Sequence, residues 1–163
     1  MKRSNYINWD EYFMGIAKLS AMRSKDPNTQ VGSCIVSKEN RILSMGYNGA
    51  PNGFDDDNFP WAREGKKIDT KYMYVCHSEL NAILNYSGNT NDLKGARIYV
   101  YYFPCNECAK AIIQAGIKEV IYEISYDYDN HSDEMEASIR MFDKCGVKYH
   151  QYQKSNKKIE IEL

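Results

Sequence analysis

This chain predicts an α/β layered domain, and three observations predict it. Apolar residues recur at helical spacing in four stretches. Short β-branched or apolar runs alternate with them, giving five strand candidates. Glycine, proline, asparagine and aspartate mark the junctions. Helices alternating with strands over 163 residues make one domain, residues 1–163, long enough to bury a core.

The first helix is read over residues 9–23. Trp9, Phe13, Ile16, Ala17 and Ser20 share a face, Asn8 can cap the start, and Asp10 and Glu11 fall in the first turn, where the helix dipole favours acids. Lys25-Asp26-Pro27-Asn28 is a turn. Val31–Ser37 reads as a buried strand and Arg41–Tyr47, after a turn at Lys38-Glu39-Asn40, as its antiparallel partner. The run Gly46-Tyr47-Asn48-Gly49-Ala50-Pro51-Asn52-Gly53 either turns the chain or lets backbone approach a ligand closely. Residues 54–75 form a long connection with Asp55-Asp56-Asp57 followed by Arg63, Lys66, Lys67 and Lys71; composition does not choose between a functional and a disordered loop. A second helix has Leu80, Ile83 and Leu84 on its inner face and ends near Gly88. Ala96–Tyr102 is a strand. Cys105–Ala115 is a third helix with Ala109, Ile112 and Ile113 inward and Gly116 past its end, and Glu119–Ile124 is another strand. Asp127-Tyr128-Asp129-Asn130 is read as loop, Ser132 as the cap of a fourth helix with Met135, Ile139 and Phe142 inward, and Val147–Tyr152 as the last strand. The tail from Gln153 is polar and patternless.

Lysine and arginine total 21 against 22 acids, so the totals advertise no polyanion-binding surface. No apolar run reaches the ~18 residues that suggest a membrane span. The basic start Met1-Lys2-Arg3 leads into no apolar signal core, and a cytoplasmic protein is expected. Five cysteines in such a chain point to metal binding or free thiols.

Two short pieces carry the chemistry: His77-Ser78-Glu79 and Pro104-Cys105-Asn106-Glu107-Cys108, an H-x-E followed by a P-C-x-x-C. One imidazole and two thiolates supply three ligands where zinc prefers four, leaving an open position for a water that the cation acidifies. Both pieces open helices, where free backbone N–H groups and the dipole stabilise thiolate. Glu79, two residues from His77, is placed to move protons. A redox reading of the C-x-x-C leaves the H-x-E unexplained. A closed structural zinc site needs a fourth ligand; Cys76 is the near candidate, but its adjacency to His77 points it elsewhere. The paired motif is the signature of zinc nucleobase deaminases, which attack C4 of cytosine or C6 of adenine.

Over nearly its full length the chain resembles the deoxycytidylate (dCMP) deaminases. The resemblance is carried by Ser24-Lys25-Asp26-Pro27-Asn28-Thr29-Gln30-Val31-Gly32, by Gly46 to Gly53, by Tyr74-Val75-Cys76-His77-Ser78-Glu79-Leu80-Asn81-Ala82-Ile83, and by Phe103 to Val120. One departure is Ser78, where the family usually has alanine; its backbone N–H can still serve. The resemblance implies a three-layer α/β/α cytidine-deaminase-like fold around a mixed sheet, zinc on His77, Cys105 and Cys108 with Glu79 as proton carrier, and hydrolysis of dCMP to dUMP and ammonia. It further implies a homohexamer activated by dCTP and inhibited by dTTP, each with Mg2+. Asn48 would contact the deoxyribose and the Ser78 backbone the base, with Asn81, Arg23, Asn28, Tyr126 and Tyr128 as further substrate candidates. Gly46, Tyr47, Gly49, Asn52, Gly53 and Lys71 would serve the effector; Asp26 is a weaker candidate for phosphate or effector. No nucleic-acid or membrane partner is expected. A rival enzyme, acting on tRNA adenosine or polynucleotide cytosine, needs a basic aromatic surface; the balanced charge argues against it, although 14 tyrosines leave stacking open. A zinc-stabilised binding module is the non-enzyme rival, and an intact Glu79 beside three ligands speaks against that.

Overall fold

The computed structural model describes residues 1–125 and 128–162, with only the backbone of 128–132. Its elements are α1 (Trp9–Ala21), β1 (Gly32–Val36), β2 (Ile42–Tyr47), α2 (Ser78–Leu84), β3 (Arg97–Tyr102), α3 (Asn106–Gln114), β4 (Glu119–Ile124), α4 (Tyr128–Cys145) and β5 (Lys148–Gln151). The sheet runs β2-β1-β3-β4-β5. β1 is antiparallel to both β2 and β3, whereas β3, β4 and β5 are mutually parallel, so the sheet is mixed as expected. The parallel half follows from its connections, since α3 and α4 are the crossovers that parallel strands require.

Alternation along the strands makes three layers. Phe13, Met14 and Ala17 of α1 pack on Cys34, Val36, Tyr99 and Ile121. The other residues of the same strands, Ile35, Ile98, Val100 and Val120, face Ala82 of α2, Ala109 and Ile112 of α3, and Met135 and Phe142 of α4. β1 is buried along its whole length, which is why Gly32–Val36 has no polar alternation beyond Ser33. α1 opens on a full capping box: Asn8 Oδ1 accepts the Glu11 N–H at 2.8 Å, and the Glu11 carboxylate accepts the Asn8 N–H at 2.7 Å. Gly116 takes a positive φ of 81° just past α3, the left-handed stop its position suggests.

Two expectations are corrected. α2 ends at Leu84, with Asn85 as its cap, short of Gly88. Its buried residues are Ser78, Glu79 and Ala82; Ile83 packs half-buried against the core as expected, Leu80 is half-buried, and Leu84 is 71% exposed. The helix is rotated to put the site's polar residues inside, and counting apolar residues cannot see that rotation. α4 begins at Tyr128, so 128–130 are helical and Ser132 does not mark the start. The segment holds no glycine or proline, and Asp129, Asp133 and Glu134 supply the acids that a helix start favours.

The long connection is folded. Short 3-10 turns form at Asp56–Asn58, Lys67–Asp69 and Lys71–Met73. Phe59 gathers Phe54, Trp61 and Tyr74 about it, with ring centroids 5.1, 4.4 and 6.3 Å away. This small aromatic cluster gives the segment something to bury.

α2 lies close on β2. An added Cβ at Gly46 would come within 2.2 Å of the Ser78 carbonyl oxygen and 2.4 Å of the Ala82 nitrogen, whereas Gly49 has open space and an ordinary φ. Gly46→Ala must therefore push α2 off the sheet, at a cost of about 1–3 kcal/mol. Thermal melts should show that loss for Gly46→Ala and little change for Gly49→Ala; equal melts would refute the close approach.

The tail crosses back over α1. Lys157 Nζ lies 3.0 Å from Glu11 Oε2, and Lys154 Nζ 2.8 Å from Glu123 Oε1. Hydrogen bonds from Ser155, the Asn8 N–H and Lys157 hold the Glu11 carboxyl down to about 2, against an ordinary 4.5. A carboxyl depressed by folding stabilises the fold above its ordinary value and loses that contribution as pH falls. Urea midpoints should therefore drop between pH 4.5 and about 2 more steeply in the wild type than in Glu11→Gln; parallel slopes would remove the tail contact from the account.

Candidate metal centre and substrate site

His77 is the N-cap of α2 and Cys105 the N-cap of α3, so two helix starts converge and their N–H-rich ends surround one point. Cys108 follows one turn into α3. His77 Nδ1 lies 3.4 Å from Cys105 Sγ and 3.5 Å from Cys108 Sγ. The three ligand atoms all fall within 4.8 Å of one another. Zinc–sulfur bonds of ~2.3 Å and zinc–nitrogen bonds of ~2.0 Å at tetrahedral angles place sulfur and nitrogen about 3.5 Å apart, so the donors present fit zinc. Cys76 is absent from the group. Its backbone instead pairs with Gly49, N–H to carbonyl at 2.9 and 3.1 Å, which ties the glycine-rich loop to the residue just before His77.

The electrostatics of the cluster follow from burial and sharing. A hydrogen bond from Cys108, helped by His77 and opposed by burial, brings the Cys105 thiol down to about 4. The same shared bond and burial push Cys108 up. His77 is raised to about 9 by its hydrogen bond to Cys105, against burial. A divalent cation entering such a cluster displaces the protons it shares. Glu79 is 6% exposed, and burial raises its carboxyl above the ordinary range. The Ser78 hydroxyl donates to Glu79 Oε2 at 3.0 Å, so the residue that departs from the family pattern reaches the acid itself.

Supporting contacts fix α2. Ser33 Oγ donates to the Ser78 carbonyl at 2.7 Å in a fully buried setting. Ser33 was not legible as a site residue, because one serine in an apolar strand carries no signal. Asn81 Nδ2 donates to the Tyr47 carbonyl at 2.8 Å and Asn85 Nδ2 to the Met45 carbonyl at 3.2 Å, stitching the helix to the edge strand.

The remaining sequence candidates fall in three places. Asn48 is buried; its Oδ1 accepts the Val31 N–H at 2.8 Å and its Nδ2 donates to the Thr29 carbonyl at 2.9 Å. Lys71 is buried beside it, with its ammonium on the Asp26 carboxylate. Burial opposes ionisation of Asp26, but Lys71 and the N–H groups of Asn28 and Thr29 outweigh it and hold the carboxyl below the usual range. Lys71 and Gly46 are thus spent on internal contacts. Asn28 is exposed, reaches the Trp61 carbonyl at 3.4 Å, and lines a cavity of about 390 Å³ with Lys18, Tyr101 and Tyr102. Arg23, Tyr47, Asn52 and Gly53 are exposed around the same end of the sheet or the loop after β2. Tyr126 lies outside the described residues, and of Tyr128 only its backbone, at the first position of α4, is described.

Residues 7–124 match the family described as the cytidine and deoxycytidylate deaminase zinc-binding region. The chain is 56% identical to the deoxycytidylate deaminase of Pongo abelii over 163 residues, 99% of this chain and 89% of that protein. It is 55% identical to that of Homo sapiens with the same coverage. Against the probable deoxycytidylate deaminase of Drosophila melanogaster it is 48% identical, over 99% of this chain and 81% of that one. The solved dCMP deaminase of cyanophage S-TIM5, in complex with dCMP and dUMP, aligns at 25% identity with a TM-score of 0.69 over 90% of this chain and 100% of its own. With its three donors at zinc spacing and relatives this similar along almost its whole length, the chain belongs to the cytidine and deoxycytidylate deaminase zinc-binding family.

Proposed function

We propose that this protein hydrolyses dCMP to dUMP and ammonia, supplying dUMP for thymidylate synthesis. The observation that carries the reading is a buried carboxylate, Glu79, against three donors spaced for zinc. The deoxycytidylate deaminases that share more than half of its residues, and the cyanophage enzyme holding dCMP and dUMP, support the choice of substrate.

His77, Cys105 and Cys108 would hold the metal, which when bound makes water acidic at neutral pH. The chain's own work is proton traffic. Glu79 takes a proton from the water attacking C4 and gives it to the adjacent ring nitrogen; it then takes the proton of the new C4 hydroxyl and passes it to the amine, so that the C4–N bond breaks, ammonia leaves and a C4 carbonyl remains. Burial suits it, since a carboxyl of raised proton affinity can hold the proton between transfers. The Ser78 hydroxyl donates to that carboxylate and would orient it, and the Ser78 backbone would contact the base. Asn48 would take the deoxyribose, and Arg23, Asn28, Tyr126 and Tyr128 the phosphate. Asn81 would act by holding α2 on β2.

Effector control belongs to the same proposal. dCTP as activator and dTTP as inhibitor, each with Mg2+, would bind the loop of Tyr47, Gly49, Asn52 and Gly53, which is joined to the site through the Gly49–Cys76 pairing. Gly46 and Lys71 would shape that loop from beneath. A homohexamer would cover apolar side chains left open beside α2: Leu84, Met45 and Tyr47.

Glu79→Gln should keep its zinc by elemental analysis and lose at least ~10²-fold in kcat on dCMP, while Cys105→Ala should lose the metal. Normal turnover in the first, or full zinc in the second, would contradict the assignment. In a panel of dCMP, CMP, deoxycytidine, cytidine and dCTP, ammonia release should be confined to dCMP. Its sigmoidal rate curve should become hyperbolic with dCTP, the shift corresponding to a coupling of about 1–3 kcal/mol. A hyperbolic curve untouched by dCTP and dTTP would mean the switch is missing.

A further inference from the structure

One buried carboxylate ties together three segments that the mechanism leaves unexplained. Asp26 and Lys71 have side chains only 1% and 6% exposed. Asp26 Oδ1 accepts the N–H groups of Asn28 and Thr29 at 2.9 and 3.2 Å. Its Oδ2 takes the Lys71 ammonium and lies 3.4 Å from Asn48 Nδ2. Lys71 anchors the far end of the long connection: its N–H reaches the Ala62 carbonyl at 3.1 Å, and its carbonyl accepts Tyr74 and Val75 at 3.0 and 2.8 Å, directly before the Cys76 bridge and His77. Buried ion pairs contribute little net stability, because desolvation cancels most of the attraction. Stability alone therefore does not account for this one.

The orientation of Asn48 does. Its partners settle which end is which: a flipped amide would set NH2 against the Val31 N–H and oxygen against the Thr29 carbonyl and the Asp26 carboxylate. Both amide hydrogens are committed to Thr29 and Asp26, and one lone pair of Oδ1 to Val31. The one remaining lone pair means that Asn48 can only accept a hydrogen bond from a ligand. In a 2′-deoxyribose 5′-phosphate the sugar has a single hydroxyl donor, the 3′-OH.

We propose that the Asp26–Lys71 ion pair is a positioning device that holds the Asn48 amide with its free lone pair toward the ligand, and so sets recognition of the sugar 3′-hydroxyl. The inference rests on the dCMP reading above. Without the ammonium, Asp26 is a bare buried carboxylate whose nearest remaining side-chain donor is Asn48. The amide is then drawn off Thr29, and Oδ1 swings away from the sugar.

The test compares dCMP with 2′,3′-dideoxycytidine 5′-monophosphate as substrates of the full-length enzyme. The wild type should favour dCMP in kcat/KM by roughly tenfold or more, the worth of a hydrogen bond made in the site. Lys71→Met should bring that ratio close to one, mainly by raising KM for dCMP, and Lys71→Arg should retain the preference. The double variant Asp26→Asn with Lys71→Met removes the bare charge; it should melt higher than Lys71→Met yet still discriminate poorly. A merely structural pair would lower melting temperature and total activity but leave the ratio at its wild-type value, and that result overturns the proposal. A wild type inert on both nucleotides overturns the dCMP reading and this inference with it; an active wild type whose variants keep the preference overturns the inference alone.

Discussion

The close seating of α2 on the β1–β2 edge is the constraint on which the rest depends. Ser33 reaches up to the Ser78 carbonyl, and Gly46 leaves no gap beneath Ser78 and Ala82. Because the helix backbone is held there, His77 and Glu79 arrive at the start of α3, where Cys105 and Cys108 wait. Any side chain at position 46 would lift the helix and separate the imidazole from the sulfurs.

That seating also sets the electrostatics. It brings a buried carboxyl, two buried thiols and a half-buried imidazole into one cluster, where each group's proton affinity depends on its neighbours. Burial keeps Glu79 able to hold a proton, while the two helix ends favour the negative charge of thiolate. The same economy holds a few residues away, where Asp26 is kept ionised by Lys71 and backbone N–H groups and in turn holds Asn48.

Most of the elements were legible because their signals are local. Asn8 with Glu11, the alternating run into β1, and Gly116 after α3 each act through neighbours in sequence. The His77, Cys105 and Cys108 cluster was legible for a related reason: H-x-E and C-x-x-C spacings place candidate ligands on single helix starts. The inner face of α2 was misread because Leu84 looks like core, whereas the helix turns its polar residues inward to build the site. Lys71 entered as an effector candidate through the resemblance alone, and its burial against Asp26 emerged only with the folded connection.

The amino-acid order by itself determined the alternation of helices and strands, the donor set and the acid beside it, since propensity, capping and motif spacing operate within a few residues. Only the tertiary structure decided that Ser33 supports Ser78, that Gly46 is a packing position, and that Asp26, Lys71 and Asn48 form one network. Those pairings join residues 17 to 45 positions apart. Such contacts depend on how the layers close, which no local pattern encodes.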